Sequence, residues 1–145
     1  MNCINSIIIG VFSFFLISCS VGPKPIVYNE DQCDSCKMLI SDHRFGAELV
    51  TKKGRIYKYD AIECMVQTIV EKGEEEYAYM MVTDYHHPGE LISADLAKYI
   101  IEKERPSPMG AYLSAYSVET KIENLKTEPS ASVMNWNQVI KKLSQ

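Results

Sequence analysis

The chain has 145 residues, 46% of them hydrophobic and 23% charged, the balance of one ordinary globular domain rather than a disordered segment. Lys+Arg 15 against Asp+Glu 19 gives a net charge of −4 and a pI of about 5.4. That acidity excludes a surface built to hold nucleic-acid phosphates.

The first eighteen residues carry no charge and form a segment apart. Their apolar run, Ile7–Ile17, is much shorter than the roughly 20 residues a spanning helix needs. It reads as the core of a secretory signal peptide, although Met1–Ser6 lacks the usual Lys or Arg. The run ends in Leu16-Ile17-Ser18-Cys19, which resembles a bacterial lipobox. The resemblance implies cleavage before Cys19, acylation of that cysteine, and attachment to a bacterial membrane on its periplasmic or exterior side. The expected organisation is a signal peptide over residues 1–18, a lipidated tether over 19–32 and a folded domain over 33–145. The tether assignment rests on two prolines and the lack of any hydrophobic period in residues 20–32.

Ala47–Thr51 and Arg55–Tyr59 are short runs rich in β-branched and aromatic residues, and Lys52-Lys53-Gly54 between them suits a hairpin turn. Ala61–Lys72 is the strongest helix pattern, with Ile62, Met65, Val66, Ile69 and Val70 on one stripe. Asp60 and Glu63 have capping-box spacing, and Gly73 ends the run. Glu74–Glu76 reads as a solvated connection and Tyr77–Val82 as a strand closed by the turn residues of 84–89. Leu91–Glu102 suits a helix begun at Ser93 or a strand around Tyr99-Ile100-Ile101. A strand is expected at Ala111–Ser117, a helix at Val118–Lys126 and a strand near Ser132–Met134. A last helix carries Trp136, Val139, Ile140 and Leu143 behind an Asn135/Gln138 cap. The expected fold class is α+β, two small halves in which strand–strand–helix–strand is read twice.

Removal of residues 1–18 leaves Cys33, Cys36 and Cys64 beside the lipid-bearing Cys19, an odd number of thiols in an oxidising compartment. Cys33-Asp-Ser-Cys36-Lys-Met38 places two thiols within reach of one ion or of each other, with a thioether two residues on. Thiolate with thioether favours a soft ion, Cu(I) above all. Three other readings of the pair stay open. They are a Cys33–Cys36 disulfide, a thiol–disulfide oxidoreductase, and a structural zinc module, which needs about four N or S ligands. Cys64 falls on the side of its helix away from the apolar stripe, near Thr68 and Glu71. That position suits completing the site or resolving a disulfide. Met109, in the stiffened loop Ser107-Pro108-Met109-Gly110, can be held in one place. His43 by itself carries no ligand signal, and no nucleophile–base pair marks an enzyme.

Taken together, the lipobox, Cys36-Lys-Met38 with His43, Gly46–Thr51, Asp60-Ala-Ile62, Val82-Thr-Asp84, Ser107-Pro-Met109-Gly110 and the Ala-Tyr-Ser strand end resemble the NosL family. The resemblance runs from about Cys33 to Leu143. It implies two ββαβ halves and a periplasm-facing copper-binding lipoprotein that carries Cu(I) for nitrous oxide reductase beside an ABC-type transporter, with no turnover of substrate. Position by position it implies Cys36, Met38 and Met109 as ligands, with Cys33 added by its spacing. His43 is the weaker correspondence and the role of Cys64 is open. Nitrous oxide reductase is the recipient the resemblance favours, with another envelope cuproenzyme as the alternative.

Overall fold

The computed structural model describes residues 21–125 and 129–145; the signal segment and Cys19 lie outside the described residues. Strands β1 (Ala47–Thr51) and β2 (Ile56–Tyr59) form the expected hairpin, in register from Ala47↔Tyr59 to Val50↔Ile56. Its turn closes through Gly54, whose φ of 84° suits a residue without a Cβ. Helix α1 (Ile62–Lys72) follows, then β3 (Tyr77–Thr83) and β4 (Leu91–Ser93). The four strands make one antiparallel sheet in the order β2-β1-β3-β4.

The ambiguous stretch Leu91–Glu102 resolves into two strands, β4 and β5 (Lys98–Ile101), joined by a tight turn in which Ala97 N–H donates to the Ser93 carbonyl, 3.0 Å. Strands β6 (Leu113–Tyr116) and β7 (Ser132–Met134) flank β5 in a second sheet, β6-β5-β7. In both sheets the first hairpin strand lies between its partner and the third strand, so the two halves share one plan. They differ in the crossover. The helix expected over Val118–Lys126 is a turn, in which Thr120 N–H donates to Ser117 O (3.0 Å), and a 3-10 helix at Ile122–Leu125. Val118 is 57% exposed, so it supplies no core-facing residue for a longer helix.

Helix α1 buries Ile62, Met65, Val66 and Ile69, whereas Val70 is exposed. Full burial of each such side chain contributes about 1.5–3 kcal/mol. The α1 cap differs from expectation. Ala61, which has no side-chain acceptor, takes the N-cap position in place of Asp60, and Glu63 bonds instead to Ser107 and Ala111. Helix α2 (Trp136–Leu143) has the expected capping box: Gln138 N–H donates to Asn135 Oδ1 (3.0 Å) and Asn135 N–H to Gln138 Oε1 (2.9 Å). Trp136 Nε1 donates to Glu74 Oε1 at 2.6 Å and ties α2 to the segment after α1.

The segment expected to be a free tether is part of the domain. Lys24 N–H donates to Glu48 Oε1 (3.0 Å), Pro25 O accepts from Lys58 Nζ (3.0 Å), and Ile26 is buried. Residues 21–32 therefore run along the β1–β2 hairpin and deliver Cys33 to its far end.

Candidate metal centre

Cys33–Met38 forms a closed loop. Gln32 and Leu39 pair across its base, Cys33 N–H donates to Met38 O (2.8 Å), and Lys37 N–H donates to Cys33 O (3.0 Å). Closing so tight a loop puts Lys37 at φ 64°, in the left-handed region. The loop is pinned to β2 from both directions: Asp34 N–H donates to Lys58 O, and Lys58 N–H donates to Asp34 Oδ2, each at 2.8 Å. The Lys58 ammonium also pairs with Asp31 at 2.5 Å. Immediately after β2 the chain enters α1, whose third residue is Cys64. The loop docked on β2 and the first turn of α1 thus meet.

Their meeting brings three sulfurs together. The Sγ atoms of Cys33, Cys36 and Cys64 all lie within 4.8 Å of one another, and all three cysteines are free. A trigonal ion with metal–sulfur bonds of about 2.3 Å needs sulfurs roughly 4.0 Å apart, so modest closure suffices. Cys33 and Cys64 are fully buried and Cys36 is half-buried, so solvent reaches the cluster from the Cys36 side.

The cluster is electrostatically asymmetric. The Cys64 side chain hydrogen-bonds Cys33 and, with backbone bonds from Asp60, Cys36 and Ser35, overcomes burial to bring the Cys33 thiol down to about 5. Burial, joined by the nearby Cys33 charge, pushes Cys36 up. Cys64 is pushed up by its bond to Cys33, by burial and by its charged neighbours. One thiolate, on Cys33, is therefore held by two neutral thiols, a preformed soft anionic pocket.

The other candidates are positioned by the segments that carry them. Met38 closes the loop through its carbonyl, and its side chain is 46% exposed. Met109 is 40% exposed, on a turn in which Gly110 N–H donates to Ser107 O (2.9 Å). That turn is fastened to α1: Ser107 Oγ and Ala111 N–H both donate to Glu63 Oε1, the residue before Cys64. His43 stacks on Tyr28 at 3.9 Å between ring centroids and belongs to a different contact. Sequence reasoning left Cys64 undecided and missed the Glu63–Ser107 link. The odd thiol on the off-stripe side of α1 was the usable signal for the first. The second had none, because it joins residues far apart in the chain.

The family model of NosL matches residues 25–144. The chain belongs to the NosL family. Its fold resembles the crystal structure of the copper chaperone NosL from Shewanella denitrificans, with a TM-score of 0.68 over 80% of this chain and 94% of that one. Sequence identity is 16%, so this likeness speaks for the NosL fold. The expected α+β class is borne out, with the second crossover reduced to a 3-10 turn. No curated protein sequence matches the chain.

Proposed function

We propose that this NosL-family protein is a carrier of Cu(I), not an enzyme, and that Cys33, Cys36 and Cys64 form the seat of the ion. The observation that carries the reading is the set of three free sulfurs within 4.8 Å of one another. Three soft sulfur donors with no imidazole or carboxylate among them suit Cu(I) better than harder divalent ions. Zinc in structural sites is nearly always four-coordinate, and the cluster offers three thiols. The likeness of the fold to the copper chaperone NosL from Shewanella denitrificans supports the same reading.

Met38 and Met109 serve as the outer donors. Thioethers stay neutral at every pH, and both side chains are accessible, so each can take the ion as a partner's ligand arrives or leaves. The recipient is an envelope cuproenzyme, with nitrous oxide reductase and its ABC-type assembly complex the one the family resemblance favours. Acylation at Cys19 holds the carrier on the membrane, facing the periplasm or exterior. Among the described residues no helix is long and apolar enough to cross a membrane.

The low position of Cys33 also suits thiol–disulfide exchange. Its complete burial opposes that reading, since an attacking thiolate needs access to the substrate disulfide. Anaerobic Cu(I) titration against a chromophoric chelator separates the two. The carrier reading predicts one tightly held Cu(I) per chain, weakened strongly in Cys36→Ser and Cys64→Ser and less in Met38→Ala and Met109→Ala. Affinity unchanged in all four variants, or steady turnover of a disulfide substrate, would contradict it.

A further inference from the structure

The β1–β2 hairpin has two chemically distinct ends. At one, Lys58 holds the loop of Cys33 and Cys36. At the other, Lys52, Lys53 and Arg55 are exposed around the turn. They line a cleft of about 540 Å³ together with Tyr57, Glu75 and Glu76. The Arg55 guanidinium lies 4.8 Å from the centroid of the Tyr57 ring, and Lys72 Nζ lies 5.2 Å from it, adding a fourth cation to this end. Among the described residues none of these four cations is held in an ion pair.

The start of the described chain touches the same turn. A Cβ placed on Gly54 would lie 3.3 Å from Val21 Cγ2. Past Val21 the backbone is bound to the domain, with Lys24 N–H on Glu48 and Ile26 buried, so there is little free spacer to pay out. Only Ser20 separates Val21 from Cys19. Two residues span at most about 7 Å, so an acyl chain on Cys19 holds the Lys52–Gly54 turn at headgroup depth. The thiol end stands some six residues further along the hairpin, roughly 20 Å at about 3.3 Å per residue.

We infer that the β1–β2 turn is a membrane-docking surface, in which Lys52, Lys53 and Arg55 engage the phosphates of the phospholipid layer that holds Cys19 and the thiol site faces away from the bilayer. The inference rests on the lipoprotein part of the proposed function. Glu75 and Glu76 on the opposite wall keep the cleft from being purely cationic. The contact therefore depends on the anchor, which converts weak headgroup binding into an intramolecular event. Docking leaves the carrier upright, with Cys36 and Met38 presented to a partner instead of buried against lipid.

The test uses the full acylated chain, its Cys19 modification verified by the mass of the N-terminal peptide. It is placed in detergent or in vesicles of phosphatidylethanolamine and phosphatidylglycerol. Lysine acetylation by a water-soluble reagent is then read residue by residue. Labelling of Lys52 and Lys53 is expected to fall about fivefold or more in vesicles, the effect of roughly one headgroup contact per cation, while Lys37 beside Cys36 labels equally in both. Equal labelling of Lys52 and Lys53 in acylated protein overturns the inference and leaves the lipoprotein reading standing. An N-terminal peptide without acyl groups overturns both, and leaves the copper reading to its own titration.

Discussion

Cys64 carries the most weight at the scale of single residues. It occupies the first turn of α1, is fully buried, and hydrogen-bonds the Cys33 thiolate. Cys64→Ser should reduce Cu(I) affinity by about 100-fold or more, beyond the 10–100-fold typical of losing an outer-sphere partner, as measured by chelator competition. Glu48 offers an independent test of the buried electrostatics. Its carboxylate is fully buried on β1, with Oε1 on Lys24 N–H and Oε2 unpartnered, and burial raises its pKa above the usual 4.5. A carboxyl raised in the folded state stabilises the fold below its unfolded pKa, and that contribution is lost as pH rises through the folded value. Glu48→Gln keeps the Lys24 contact and removes the titration. The urea midpoint of the variant should therefore gain on the wild type between pH 4.5 and 7.5; parallel midpoints would show that Glu48 does not carry this term.

Among the elements, the capping interactions and the Met109 loop give the sharpest expectations. Asn135→Ala removes the α2 capping box and should cost about 1 kcal/mol, a drop in Tm of a few degrees in calorimetry. Ser107→Ala leaves the buried Glu63 carboxylate without its hydroxyl donor, at a cost of about 1–3 kcal/mol in denaturant unfolding. The same change leaves Ala111 N–H as the remaining bond from the Met109 turn to Glu63 and so loosens that turn, and Cu(I) affinity should fall by less than in Cys64→Ser. Equal losses in the two variants would place Ser107 nearer the ion than this geometry does. Much at this scale was legible in the sequence, because local patterns govern it: the 3.6-residue stripe of α1, the hairpin turn at Lys52–Gly54 and the Asn135/Gln138 cap all form. The failures have tertiary causes. Asp60 and Glu63 have capping spacing, but Glu63 is drawn to Ser107 forty-four residues away. Val118 fits a helical stripe yet has no core to face.

For the whole molecule, the metal site arises because a loop before β1 docks on β2 and so reaches α1. The Cys33/Cys36 spacing was visible in the sequence. The inclusion of Cys64 depends on the paired bonds between Asp34 and Lys58, which no local pattern announces. The same docking turns the expected tether into a strap along the hairpin, since the burial of Ile26 and the stacking of Tyr28 on His43 require the finished sheet. Asp34→Ala should loosen the loop from β2 and weaken Cu(I) binding by about tenfold while the fold persists, as a residue that orients ligands without touching the ion does. Chelator competition together with circular dichroism would check both halves of that expectation.

The central claim is that one Cu(I) sits among three thiolates. X-ray absorption at the copper edge of the protein loaded with one equivalent of Cu(I) tests it most directly. The account predicts a reduced copper with sulfur neighbours only, three in number, falling to two in Cys64→Ser. A shell containing an imidazole nitrogen, or a spectrum that Cys64→Ser leaves unchanged, would contradict it.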